Sequence, residues 1–110
     1  MYFNINEIEA PELAERLQVQ TPRVIDVREM QEIAAGTVPG AEPMPMTTLP
    51  ARLHELDRND ELVIICRSGA RSAQVCMFLQ QNGYENVFNL RGGMISWARS
   101  GQQIGRLQGN

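Results

Sequence analysis

A chain of 110 residues, 43% hydrophobic and 21% charged, suits one soluble domain and excludes a second core of ordinary size. The formal net charge of -3, with no block of consecutive basic residues, argues against nucleic acid or an anionic membrane as partner, so any anion recognition must be local. The start of the chain is acidic from Glu7 onward and lacks the basic-then-apolar pattern of a secretory signal, and no run approaches the ~20 apolar residues of a membrane helix. The expectation is a cytoplasmic protein whose two cysteines, Cys66 and Cys76, are reduced thiols.

In chain order, "APELAERL" (10–17) reads as a short amphipathic helix, with Pro11 near its first turn and Leu13 and Leu17 spaced i, i+4. "RVIDVRE" (23–29) reads as a buried strand, and "EMQEIAAG" as a brief helix stopped by Gly36. "TVPGAEPMP", rich in proline, reads as a loop. "TTLPARLHEL" (47–56) suits a helix with a threonine cap, an early proline, and Leu49, Leu53 and Leu56 on one face. "DRND" is the turn that follows.

"ELVIIC" carries no polar alternation, which is the signature of a strand covered on both faces of a parallel sheet. From Arg71, the positions Val75, Phe78 and Leu79 recur at helical spacing until Gly83. "NVFNL" is a further strand and "GGMISWARSG" a last helix. The alternation predicts an α/β domain over residues 1–100, with a mainly parallel central sheet and helices on both faces. The polar, glycine-rich tail 101–110 is expected to fray.

Ligands of such sheets bind beyond the carboxyl ends of the strands. Cys66 closes the strand "LVII" there, and Arg67, Ser68, Gly69 and Ala70 lead into a helix at Arg71. A cysteine closing an apolar strand is ordinarily core packing. Its company argues otherwise, because two guanidiniums placed beside a packed thiol without an anion would be an electrostatic cost. The amides of residues 67–71 can curl into an anion nest, Gly69 eases the curl, and the helix dipole, Arg67 and Arg71 would stabilise a nucleophilic thiolate.

Other residues invite weaker readings. His54, the only histidine, falls between apolar positions on a helix and reads as a solvated surface residue. Asp26 and Arg28 end a strand on the same sheet edge as Cys66, where they would either add charge to the loop or brace it through a salt bridge. Arg91 is a candidate pocket liner or a surface arginine, and Gly92 and Gly93 suit a tight turn. Cys76 and Trp97 read as core, and Met44 and Met46 as an apolar rim for a protein acceptor.

At these residues the chain resembles the single-domain rhodaneses. That family carries a Cys-x-x-Gly-x-Arg-Ser/Thr loop, matched from Cys66 through Gly69 and Arg71 to Ser72. "VIDVRE" (24–29) matches its Asp-x-Arg motif, "EIAAGTVPGA" (32–41) its Gly-His-Ile-Pro-Gly-Ala motif with Thr37 where the family often has histidine, and "GYENVFNLRGGMISW" (83–97) its Leu-x-Gly-Gly-x-x-x-Trp motif.

The resemblance implies a rhodanese-like fold and a sulfurtransferase in which Cys66 takes a sulfane sulfur as a persulfide and passes it on, with no metal or organic cofactor. Residues 67–71 would cradle the outer sulfur, with Arg71, helped by Arg67, holding a small anionic donor such as thiosulfate. Asp26, Arg28 and Ser72 would support them. The acceptor would be cyanide or a thiol, including thioredoxin or another protein. The alternative is a sulfur-relay module serving one protein partner. Related phosphatases place five residues between cysteine and arginine, whereas only four separate Cys66 from Arg71, a tighter ring suited to one sulfur atom. The mercaptopyruvate-using branch has an uncharged residue at the position of Arg71.

Overall fold

Leu62–Ile65 form β4, and their neighbours on both faces explain why the run has no polar alternation. A computed structural model describes residues 4–19 and 22–107. Along β4 and its extension, Leu62, Ile64 and Cys66 join a cluster with Leu49, Leu56, Val75, Cys76 and Leu79, whereas Val63 and Ile65 join one with Leu13, Met94 and Trp97. That alternation is the two-residue period of a strand with both faces covered.

The strands are β1 (Asn6–Ile8), β2 (Arg23–Asp26), β3 (Glu42–Pro43), β4, and β5 (Val87–Leu90). They form one sheet in the order β1-β5-β4-β2-β3, with every neighbouring pair parallel. The helices are α1 (Ala10–Val19), α2 (Met30–Ala34), α3 (Leu49–Arg52), α4 (Ala70–Gln81) and α5 (Gly93–Arg99). Helices α3 and α4 supply residues to one core cluster, and α1 and α5 to the other. The α/β architecture, a parallel sheet with helices on both faces, is therefore the one the sequence predicts. No helix among the described residues is long and apolar enough to cross a membrane.

Four local expectations change. The strand at 23–29 ends at Asp26, because Val27 to Glu29 turn toward α2. The edge strands β1 and β3, of three and two residues, are additions to the predicted set. The helix at 47–56 breaks into a 3-10 turn (Met46–Thr48), α3, and a second 3-10 turn (Leu53–Glu55). Thr48 does not cap forward there; its hydroxyl donates back to the Pro45 carbonyl at 2.7 Å. The tail is not frayed over 101–107: Thr37 and Gly105 exchange backbone hydrogen bonds, and Trp97 Nε1 donates to the Gln103 carbonyl at 2.8 Å. The rest of that expectation, at 108–110, lies outside the described residues.

Candidate active site

Register places the site. Asp26 on β2 pairs with Ile65 on β4, so Cys66 emerges at the common carboxyl edge, where a parallel sheet offers its binding crevice. Gly69 then adopts φ 99° and becomes the N-cap of α4, a conformation that glycine reaches without a Cβ penalty. This reversal brings the start of α4 back over the sulfur. Cys66 Sγ accepts hydrogen bonds from the Gly69 amide at 3.1 Å, the Ser72 amide at 3.4 Å and the Ser72 hydroxyl at 3.3 Å.

Burial pushes the Cys66 thiol up, but the Ser72 hydroxyl and the amides of Ser72, Gly69 and Ser68 favour the thiolate and bring it below its ordinary value. Cys66 itself is fully buried, while Arg67, Ser68 and Ala70 beside it are exposed, so the sulfur lies one layer beneath the surface.

The backbone of the loop is held in turn by α5. Met94 N donates to the Cys66 carbonyl at 2.8 Å and Ile95 N to the Arg67 carbonyl at 3.0 Å. Two amides that a helix start leaves without intrahelical partners are thus spent on the loop carbonyls. The contact demands a glycine: a Cβ on Gly93 would lie 2.5 Å from the Cys66 carbonyl oxygen and 2.6 Å from that of Arg67. The sequence reading of Gly92 and Gly93 as a simple turn understated them.

Ser72 is closer to the chemistry than its supporting role in the sequence reading, since it touches sulfur directly. Its one hydroxyl proton also faces Asn89 Oδ1 at 2.5 Å. The orientation of that amide is fixed on its other side, where Asn89 Nδ2 donates to the Gly69 carbonyl at 3.2 Å and to Glu7 Oε2 at 3.3 Å. A hydroxyl cannot donate twice. With the thiol protonated, the chain runs from S–H to Ser72 to Asn89; with the thiolate formed, the Ser72 proton turns to sulfur. Asn89 escaped sequence reasoning. Its signal was a polar residue in the strand "VFNL", where it is 2% exposed.

The two loop arginines differ. Arg67 is exposed and has no ion pair or side-chain hydrogen bond among the described residues. Arg71 spends its fork on Glu32 of α2, Nη1 to Oε1 at 3.1 Å and Nη2 to Oε2 at 3.2 Å. Arg71 and then the Glu29 amide hold the Glu32 carboxyl below the usual carboxylate range. Glu32 is the second residue missed, because its partner stands on a distant segment of the chain.

Asp26 and Arg28 pair with each other and brace the turn at Gly36 and Thr37. Arg28 donates to Asp26 through Nε and Nη2, Nη2 at 2.8 Å, and its Nη2 also reaches the Gly36 carbonyl at 2.7 Å. Thr37, 1% exposed, donates its hydroxyl to Asp26 Oδ2 at 2.7 Å, so it holds the loop in a place where the family often has histidine. Arg91 is a surface residue near Glu7 and Glu9, and His54 is exposed. Met44 is buried, which removes it from the expected exposed rim; Met46 is partly exposed. Cys76 is buried in the core, where desolvation first, then the nearby Glu7 and Cys66, push its thiol up to about 12.

A rhodanese-like domain model matches residues 9–100. A sulfurtransferase of Allochromatium vinosum is 46% identical over 101 residues, covering 91% of this chain and 94% of that protein. Among solved structures, a rhodanese-like domain protein from Staphylococcus aureus is 34% identical with a TM-score of 0.83, covering 93% of this chain and 98% of that one. A rhodanese-related protein from Thermoplasma volcanium is 31% identical at the same TM-score, covering 91% and 97%. A cysteine cradled by amides beyond a central parallel strand, on a chain matched almost end to end, leaves one assignment: the protein belongs to the rhodanese-like domain family and is a rhodanese-type sulfurtransferase.

Proposed function

We propose that this chain moves a sulfane sulfur from thiosulfate or a persulfide, through a persulfide on Cys66, to a thiol or to cyanide. The observation that carries the reading is the set of donors converging on Cys66 Sγ from Gly69 and Ser72. The thiolate attacks the outer sulfur of thiosulfate, the sulfur–sulfur bond breaks, and sulfite leaves with the electron pair. The resulting Cys66 persulfide is an anion held by the same donors. An acceptor thiolate or cyanide then takes the outer sulfur, forming a new persulfide or thiocyanate and returning the Cys66 thiolate, a ping-pong cycle. Arg67 draws the anionic donor toward the loop. The working compartment is the cytoplasm, where free thiols stay reduced.

A second reading, a relay to a protein thiol such as that of thioredoxin, is favoured by an apolar cleft of about 220 Å³ lined by Met46, Leu49, Pro50, Gln74, Val75 and Phe78. It begins one helical turn beyond Arg71 on α4. Intact mass spectrometry of the reduced protein before and after thiosulfate tests the first reading. The expected result is a gain of one sulfur mass in the wild type, absent in Cys66→Ser and reversed by cyanide or a thiol. No gain on a Cys66 that still alkylates refutes the thiosulfate assignment. Faster discharge to a reduced protein thiol than to small thiols would select the relay.

A further inference from the structure

The cysteine loop carries two arginines, yet its local charge is close to that of one. The Arg71 fork already holds a carboxylate in the two-pronged arrangement that a planar guanidinium offers to an oxyanion. Glu32 is itself fixed, because Oε1 also accepts the Glu29 amide at 3.0 Å in the capping box that starts α2. The pair is part-exposed, with side-chain exposures of 36% for Arg71 and 29% for Glu32, so an incoming solute can reach it. Arg71 also senses the charges of Glu29 and of Cys66, which puts the carboxylates and the sulfur within one electrostatic neighbourhood. A donor approaching Cys66 therefore meets Arg67 as a cation with no ion pair among the described residues and Arg71 as a cation with its counterion in place.

We propose that Glu32 is a specificity-determining residue: it occupies the Arg71 fork as a built-in competitor, disfavouring dianionic donors such as thiosulfate relative to singly charged sulfane donors, thiosulfonates and persulfides among them. The inference rests on the reading of Cys66 as the sulfur acceptor. Part-exposed ion pairs are individually weak. The bias is therefore a tuning of several-fold in donor affinity, and it acts through Arg71. A singly charged donor satisfied by Arg67 has less to gain from the second guanidinium and less repulsion from Glu32 to overcome.

The test compares thiosulfate with methanethiosulfonate, which offers the same outer sulfur at one less negative charge. Glu32→Gln keeps an oxygen for the Glu29 amide, removes the charge, and replaces the Oε2 acceptor of Arg71 Nη2 with an NH2, which frees the Arg71 fork further. Steady-state transfer to cyanide with this variant is expected to show a KM for thiosulfate lowered by about three- to tenfold at nearly unchanged kcat, and a KM for methanethiosulfonate changed by less than about twofold. In an Arg71→Gln background the same substitution is expected to lose most of its effect on thiosulfate. A thiosulfate KM that rises or stays constant, or that falls equally for both donors, overturns the inference. If neither donor adds sulfur to wild-type Cys66, the sulfur-transfer reading itself falls and takes this one with it; loading with an unaltered KM in Glu32→Gln removes the inference alone.

Discussion

Cys66 and Cys76 are both fully buried, lie in the same core cluster, and differ in chemistry because of the backbone around them. Cys66 sits where a strand has ended and a helix has not yet begun, so amides without intrahelical partners point at its sulfur. Cys76 sits inside α4, where the amides are committed to the helix, and its thiol meets apolar neighbours. One thiol is lowered and the other is pushed up to about 12. Burial alone raises both, and the location of free donors decides the outcome.

The sharpest way to break this contrast is to exchange the cysteines' fates. Cys66→Ser is expected to abolish sulfur loading completely, whereas Cys76→Ala keeps it while lowering the melting temperature, as read by intact mass and thermal unfolding. Next in size is Gly93→Ala, which puts a methyl group against the Cys66 and Arg67 carbonyls and asks a non-glycine residue to hold φ 58°. It should cost at least about 2 kcal/mol in chemical denaturation and depress Cys66 alkylation.

Ser72→Ala is milder. The pH midpoint for native-state alkylation of Cys66 is expected to move upward, toward an ordinary thiol, with Cys76 unlabelled until the protein unfolds. The two thiols also bend stability in opposite directions. Cys66, with a lowered folded value, contributes stability that is present above the unfolded-thiol range and lost as pH falls through the folded value. Cys76, with a raised one, contributes stability present below that range and lost as pH rises toward about 12.

Smallest at sulfur is Thr37→Val. It removes a donor to buried Asp26, so it should cost about 1–3 kcal/mol in denaturant while leaving the Cys66 pH profile in place. A shifted profile would tie the Asp26 brace to the thiolate after all.

The most legible parts of the sequence were those where one local pattern had one physical cause. The unbroken apolar run ending at Cys66 announced a central parallel strand, and the Arg-Ser-Gly-Ala-Arg stretch after it announced a glycine turn into a helix that starts over the sulfur. What escaped notice depends on partners far away in the chain. Asn6–Ile8 is strand only because β5 offers it an edge, and Glu42–Pro43 only because β2 does. The tail reads as polar and glycine-rich, yet Gly105 finds Thr37 across the surface. Asn89 and Glu32 look unremarkable in sequence; each matters through a loop residue brought to it by the fold. Helix 47–56 failed differently: Leu49 and Leu56 are buried as its spacing predicts, but the backbone leaves the α conformation at Arg52 (φ -113°, ψ 11°) and finishes in a 3-10 turn.

The grip of Met94 and Ile95 on the Cys66 and Arg67 carbonyls has a temporal consequence. A nascent chain emerges from its amino end, so β4 and its cysteine exist before those amides. Until Gly93 and the turn behind it have been synthesised and docked, the loop carbonyls lack those partners. The donors to sulfur, Gly69 and Ser72, thus precede in synthesis the amides of α5 that hold the loop carbonyls, so the loop that carries the nucleophile gains its last supports late.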